Sequence, residues 1–289
     1  MKTKCFIGLG TMGSQIARHI KERGLDVTVF NRTEEKAVKW VERNGGKFSR
    51  SPAEAAQNSD MVFLCVGNDE DVRSVVTGEL GVLQSLSKGS VIIDHSTTST
   101  DLAKEMSRIC KTQKIDFLDA PVSGGQVGAE KGQLTIMVGG DHKAYDASKE
   151  IMDLYSKSCV RLGESGSGQL TKMVNQICLA GLIQSLAEGI NFSKKVGLDT
   201  EEVIKVISQG AAQSWQMENR WKTMLKDEYD HGFAVDFMRK DLCIAINEAK
   251  KKNFKLEIVE LVDNFYKDIQ DMKGSRWDTS SLLKRLESQ

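Results

Sequence analysis

Gly8-Leu9-Gly10-Thr11-Met12-Gly13 stands directly behind a short apolar run, Cys5-Phe6-Ile7, and directly before an amphipathic stretch, Ser14 to Arg23, that ends at Gly24. This context predicts a strand, a tight turn and a helix. Gly8 lets the chain turn sharply out of the strand, Gly10 lets backbone approach a pyrophosphate, and Gly13 lets the helix pack closely on the strand. The chemistry is phosphate binding at a helix N-terminus. The pattern by itself also fits a flexible loop, but a second strand, Leu25 to Phe30, follows on schedule with alternating apolar and polar residues.

The tip of that second strand is where a dinucleotide's ribose is read. It carries Asn31-Arg32-Thr33 and no carboxylate. An acidic residue there would accept the 2′-hydroxyl and repel a 2′-phosphate, whereas Arg32 offers a planar fork of donors suited to phosphate, with Asn31 and Thr33 adding neutral donors. NADP is therefore expected over NAD. Thr33 also fits as the cap of a helix opened by Glu34 and Glu35, and a solvated Arg after a strand is the plainer alternative for Arg32.

Lys172, Asn175 and Gln176 share one face of a second chemical element, the apolar helical stretch Gln169 to Val196. An unpaired lysine is rarely buried. A dry cleft and a helix N-terminus would both disfavour the ammonium and bring its pKa toward the range where protons exchange; alternatively, Lys172 lies near enough to the helix start to reach solvent. Pro121-Val122-Ser123-Gly124-Gly125 follows a strand and offers a hydroxyl and glycine amides, a small nest suited to a carboxylate. A tight turn needing positive φ would read the same.

The elements that must position these groups form two textures. Residues 1–163 alternate short β-like runs with helical patterns, the mark of a parallel α/β sheet with a dinucleotide-binding topology. Candidate strands are Asp60 to Val66, Ser90 to Asp94, Phe117 to Ala120, Thr135 to Val138 and Cys159 to Leu162, and Ser51-Pro52-Ala53-Glu54 is a capping box. Val66, at a strand end, is a candidate cofactor contact. After Gly163, Glu164-Ser165-Gly166-Ser167-Gly168 reads as a hinge, and residues 164–289 read as an all-α domain entered through the long helix Gln169 to Val196. That helix is apolar on nearly every face and is expected to be buried. Further helices are expected at Thr200 to Ser208, Asp236 to Lys252, Leu256 to Met272 and Thr279 to Leu286. Residues 211–220 read as a segment joining two of them.

Together these motifs resemble the β-hydroxyacid dehydrogenase family, which includes 3-hydroxyisobutyrate dehydrogenase and the glyoxylate and succinic semialdehyde reductases. The resemblance covers essentially the whole chain. It rests on Gly8 to Gly13, on Asp119-Ala120-Pro121-Val122-Ser123-Gly124-Gly125, on Gly168-Gln169-Leu170-Thr171-Lys172-Met173-Val174-Asn175-Gln176, and on Lys240-Asp241-Leu242. It implies an NADP-dependent oxidoreductase that interconverts a short β-hydroxyacid and its semialdehyde. Ser123, Gly124 and Gly125 would bind the substrate carboxylate, Lys172 would act as general acid/base, and Asn175 would orient the substrate. Lys240 would approach cofactor or substrate, Ser96-Thr97 would border the nicotinamide, and the protein would be a homodimer or homotetramer. Many members have Asn-Asn where this chain has Asn175-Gln176, leaving open which side chain faces the substrate. Asp241 is either catalytic or only an ion-pair partner of Lys240. The segment containing Trp215 and Met217 would line the pocket beyond the carboxylate, or Trp215 would simply pack two helices together. Alternatives are a non-catalytic NADP-binding interaction protein on the same fold and a decarboxylating enzyme like 6-phosphogluconate dehydrogenase.

Composition bounds these readings. The chain has 289 residues, with 40 Lys and Arg balancing 40 Asp and Glu, so no net field points to nucleic acid or an anionic membrane. Six cysteines without paired metal spacing read as buried thiols of a reducing compartment. His19, His95, His142 and His231 show no metal spacing either, and His95, although next to Ser96, is expected to pack or cap rather than act as a base. With an early first strand and no membrane-length apolar run, a cytoplasmic location is expected.

Overall fold

The computed structural model describes residues 3–288, which divide into two compact units between Lys172 and Met173. The first begins with β1 (Thr3–Ile7), α1 (Thr11–Glu22), β2 (Val27–Phe30), α2 (Glu34–Asn44), β3 (Lys47–Phe48), α3 (Pro52–Ala56) and β4 (Ser59–Leu64). It continues through α4 (Asp69–Thr77), β5 (Val91–Asp94), α5 (Thr100–Thr112), β6 (Asp116–Asp119), β7 (Val122–Ser123), α6 (Gly125–Glu130), β8 (Leu134–Gly139), α7 (His142–Met152) and β9 (Ser156–Gly163).

The central strands are short and apolar because both of their faces are covered. Phe6, Phe63, Ile93 and Leu118 enter one core, while their neighbours Cys5, Ile7, Val62, Ile92 and Phe117 enter another. The period of two does the sorting. Nine strands form one sheet in the order β3-β2-β1-β4-β5-β6-β8-β7, with β9 on β8. From β3 to β6 all pairings are parallel. The expected parallel sheet needs one amendment: β8 runs antiparallel to β6 and β7, because the glycine turn after Ser123 sends the chain back beside the strand it has just left. Strand order reverses at β1, which opens a crevice at the carboxyl ends of β1 and β4.

Backbone bonds extend the ladder past the strand ends. Gly8 donates to Phe30, Cys65 to Ile7, His95 to Leu64 and Ala120 to Asp94, at 2.7–2.9 Å. The turns that follow four strands therefore start at a common level along one edge of the sheet.

The division at Lys172/Met173 lies inside α8 (Ser167–Lys195). The reason is close packing of the helix start on the sheet: a Cβ on Gly168 would sit 2.4 Å from the Asp119 carbonyl oxygen and 2.5 Å from that of Met137. Only glycine allows this approach. The helix is also less enclosed than its composition suggests. Leu170, Val174, Leu182 and Phe192 are exposed, since the apolar residues that pack are those on the Ile183, Leu186 and Ile190 side.

The second unit adds α9 (Thr200–Ile207), α10 (Trp215–Leu225), α11 (Val235–Lys251), α12 (Glu257–Asp271) and α13 (Leu282–Glu287). Its core joins Ile183, Leu186 and Ile190 to Met217, Met238, Leu242, Val262 and Tyr266. Residues 215–225 are helical rather than a joining segment, started by Ser214, whose hydroxyl accepts from the Met217 amide. The expected helix Thr279 to Leu286 opens as a 3₁₀ turn, because Asp278 draws the Ser280 amide and hydroxyl onto its carboxylate.

Asp278 is fully buried. It also accepts from the Phe233 amide at 2.8 Å and pairs with Arg220 at 3.1 Å, tying α10 and the loop before α11 to the C-terminal turn. Asp278→Ala strands a guanidinium and two amides in the interior, and should destabilise the second unit by about 3–5 kcal/mol. Urea unfolding followed by tryptophan fluorescence measures this, since Trp215, Trp221 and Trp277 all lie there; a loss under about 1 kcal/mol would show the carboxylate to be an ordinary surface-type ion pair.

Candidate active site

The glycine turn between β1 and α1 is built as the spacing predicts. Gly8 has φ of 95°. A Cβ on Gly13 would lie 2.0 Å from the Gly8 carbonyl oxygen, so the helix start touches the turn. A Cβ on Gly10 would meet nothing within 4 Å, and no side chain caps α1. Open space in front of an uncapped helix N-terminus fits a pyrophosphate. Leu9 is buried, while Thr11 is exposed and Met12 half-buried on the first turn of α1.

Asn31 differs from its expected role. Its Oδ1 accepts from the Leu9 amide at 2.9 Å and its Nδ2 donates to the Thr33 carbonyl, so it braces the glycine turn. Thr33 occupies the N-cap of α2 without a side-chain bond; its extended backbone, not its hydroxyl, starts the helix. Arg32 is largely exposed and pairs with Asp71 at 3.1 Å. Asp71 in turn accepts from the Gly67 amide, which places Arg32 near the loop that follows Val66. Nothing in the sequence spacing pairs residues 32 and 71; the sheet order β2-β1-β4 does.

Between the ends of β4 and β5, the Val66 amide donates to Ser96 Oγ at 2.9 Å, and the Ser96 amide donates to Asp94. Thr97 is half-buried between Ser96 and Thr98, which are both buried. Asp94 is enclosed, and burial pushes its carboxyl up to about 7 against the opposing effect of the Ser96 bonds.

The decisive juxtaposition concerns Lys172. It is 7% exposed, and its Nζ donates to the Val122 carbonyl at 2.9 Å. That carbonyl adjoins Ser123, so the two motifs, fifty residues apart in sequence, meet within the first unit. Ser123 ends β7, half-buried, and Gly124 (φ 131°) and Gly125 (φ 63°) lead into α6. An amine beside a hydroxyl and a glycine turn can place a proton donor next to a carboxylate cradle.

Asn175 follows on α8, where its Nδ2 donates to Gln176 Oε1 at 2.7 Å. Gln176 is buried and donates to Asp241 Oδ2 at 2.7 Å, and Lys240 Nζ lies 3.2 Å from the other oxygen. Gln176 thus holds Asp241, leaving Asn175 the more accessible of the pair. Asp241 is an ion-pair partner of Lys240, as one of its two expected readings had it. Met217 is buried in the second core. Trp215 is 44% exposed, with the Arg220 guanidinium 5.0 Å above its ring, so it is not a helix-packing core residue.

The thiols also depart from expectation: Cys5, Cys110 and Cys159 are buried, Cys65 is half-buried, but Cys178 and Cys243 are exposed. Among the described residues no cluster of His, Cys, Asp and Glu could hold a metal ion, and no helix is long and apolar enough to cross a membrane.

Residues 3–163 match the family profile described as the NAD binding domain of 6-phosphogluconate dehydrogenase, and residues 166–286 match that described as NAD-binding of NADP-dependent 3-hydroxyisobutyrate dehydrogenase. An uncharacterized oxidoreductase of Shewanella frigidimarina is 55% identical over 99% of both chains. The chain belongs to the β-hydroxyacid dehydrogenase family. It is 32% identical to the chloroplastic glyoxylate/succinic semialdehyde reductase 2 of Arabidopsis thaliana, over 98% of this chain and 79% of that one. The structure of Mycobacterium tuberculosis 3-hydroxyisobutyrate dehydrogenase with L-serine superposes with a TM-score of 0.89 at 26% identity, covering 99% of each chain. The protein is accordingly an NAD(P)-binding oxidoreductase of the hydroxyacid dehydrogenase type, with a Rossmann-type first domain and a helical second domain.

His95, which the sequence sets beside Ser96, is no base. Its Nδ1 lies 2.7 Å from the Ala120 carbonyl, which can only accept, so Nε2 receives the Tyr155 hydroxyl at 3.0 Å. Burial lowers its pKa from 6.5 to about 4. Because the unfolded chain takes up the proton first, His95 reduces stability progressively as pH falls from about 6.5 toward 4. An NMR titration of the His95 ring should find it neutral at about pH 5; a midpoint at its ordinary value would contradict the buried neutral tautomer.

Proposed function

We propose that this chain is an NADP-preferring dehydrogenase that interconverts a short β-hydroxyacid and its semialdehyde, with Lys172 as the general acid/base. The observation that carries the reading is the buried Lys172 ammonium held 2.9 Å from the Val122 carbonyl, beside Ser123. A bound nicotinamide dinucleotide supplies hydride chemistry at the substrate carbon. In the reducing direction Lys172 delivers a proton to the carbonyl oxygen as that oxygen becomes a hydroxyl, and in the oxidising direction it takes the proton back. Ser123 with the Gly124 and Gly125 amides holds the carboxylate, and Asn175 orients the oxygen. Gly8, Leu9, Gly10, Thr11, Met12 and Gly13 hold the pyrophosphate, with Val66 and Thr97 at the nicotinamide end and Lys240 reaching cofactor or substrate from the second domain.

Arg32 supports the preference for NADP. Its guanidinium is exposed at the end of β2, where no carboxylate of the strand tip opposes a 2′-phosphate, and the pair with Asp71 keeps it near the crevice. Exposed pairs of this kind contribute about 0–1 kcal/mol, so exchanging the partner costs little. Trp215, which the family resemblance assigns to the substrate, favours acids of three or four carbons over sugar acids, whose hydroxyls a bulky indole would leave unpaired. The relatives' names, a glyoxylate/succinic semialdehyde reductase and a 3-hydroxyisobutyrate dehydrogenase, support that class. The balanced charge supports a small carboxylate-bearing partner rather than nucleic acid or membrane. A homodimer or homotetramer in the cytoplasm completes the reading.

Initial rates with NADPH and NADH against glyoxylate, succinic semialdehyde and methylmalonate semialdehyde, and with NADP+ and NAD+ against 3-hydroxyisobutyrate, test it. Lys172→Ala should lower kcat by roughly 10²–10⁴-fold while cofactor binding persists; retention of most activity across the pH range would remove Lys172 from proton transfer. Arg32→Asp should raise the KM for NADPH before it alters kcat. Equal KM values for NADPH and NADH in the unaltered protein would refute phosphate selection by Arg32.

A further inference from the structure

Lys172 is held in place by its own helix, and the first turn of that helix is fastened in an unusual way. Asp119, at the end of β6, is fully buried. Its Oδ1 accepts from the Gly166 amide at 2.8 Å and its Oδ2 from the Gln169 amide at 3.0 Å. Those are N-terminal amides of α8, so the carboxylate acts as an N-cap supplied from a strand about fifty residues away rather than by the preceding residue. A Cβ on Gly139 would lie 2.7 Å from Asp119 Oδ1, so the absence of a side chain there is what gives the carboxylate its room against β8.

Gln169 makes the second fastening. Its side chain is buried, with Oε1 accepting from the Thr98 amide at 3.1 Å and Nε2 donating to the Ser96 carbonyl at 2.8 Å. Both polar ends of one amide are engaged on backbone, on the two sides of Thr97. Ser96 passes the constraint on, since its hydroxyl accepts from the Val66 amide. Gln169 and Lys172 are three residues apart on one helix face. Thus a single side-chain amide lies between the turn that carries Thr97 and the turn that carries the lysine.

We propose that Gln169, seated by Asp119, is a positioning residue that fixes the Ser96-Thr97-Thr98 turn and Lys172 relative to each other, so that the proton donor and the cofactor-side turn are set as one unit. The inference rests on the reading of Lys172 as the proton donor. Neither Gln169 nor Asp119 need touch substrate for this. With the amide lost, the helix start stays capped by Asp119, but the turn at residues 96–98 loses its two bonds to α8 and the spacing between the two turns relaxes. A misplacement on the order of 1 Å is enough to slow an oriented reaction roughly 10²-fold.

Gln169→Met keeps the length and packing of the side chain and removes both bonds. With NADPH and glyoxylate as probes, kcat should fall roughly 10- to 100-fold while the KM for NADPH is unchanged, because the phosphate-binding turn is not involved. Amide hydrogen exchange, read on the folded protein without substrate, should quicken at residues 96–98. Asp119→Asn, which leaves one acceptor oxygen for two amides, should quicken exchange at residues 166–169 as well. An unchanged kcat in Gln169→Met, or unchanged exchange at residues 96–98, overturns the proposal. Should Lys172→Ala retain activity, the proton-donor reading falls, and the exchange measurement alone decides whether the amide ties the two turns; should glyoxylate fail as a substrate of the unaltered protein, succinic semialdehyde replaces it as the probe.

Discussion

A carboxylate shut away from water must find hydrogen-bond donors or lose its charge, and at Asp119 the donors are the first amides of α8. Burial still raises its pKa to about 6, with the amide bonds pulling the other way. This exchange of bonds satisfies two groups that would each be costly alone: a buried acid and an uncapped helix end. The placement of Lys172 in the first unit hangs on it. The strand that ends in Asp119 leads within a few residues to Val122 and Ser123, and the helix it caps presents Lys172 to the Val122 carbonyl. One residue therefore fixes the acceptor segment in sequence and the donor in space.

Much of this was legible in the residue pattern. The glycine turn and its strands follow from periodicity and from the steric demands at Gly8 and Gly13, which are local, and local rules are what a sequence displays. The two-domain plan follows from the change of texture near Gly163. The departures arise where a distant partner decides. Asn31 braces Leu9 rather than awaiting a phosphate, since β1 and β2 are neighbours in the sheet. Residues 215–225 become helix through a serine cap that the sequence contains but that lay within a stretch rich in small and polar residues. Cys178 and Cys243 lie on outward helix faces although their neighbours are apolar, and only the choice of packed face determines that. The pairing of Lys172 with Val122, and of Gln169 with residues 96–98, could not be read from spacing; the motifs containing them could.

Buried polar groups are concentrated along the carboxyl edge of the sheet. Asp94, His95, Ser96, Thr98 and Asp119 are almost entirely enclosed there. His95 is kept neutral between Ala120 and Tyr155, and Phe63 stacks on it at 6.1 Å. Such a network restricts the edge to one arrangement, since each group accepts or donates in a fixed sense and an exchange of partners would leave an orphan. It supplies the rigidity that turns at the mouth of a crevice otherwise lack.

The division between the units has an evolutionary consequence. Val122, Asp119 and Gln169 precede Met173, whereas Trp215, Lys240 and Asp241 belong to a unit with its own core. Substitutions on α10 or α11 alter none of the residues that make the bonds of Asp119 and Gln169. On the proposed function, descendants of such a chain inherit the lysine's turn while the second unit drifts, which makes substrate preference the fast-changing trait and the reaction itself the slow one.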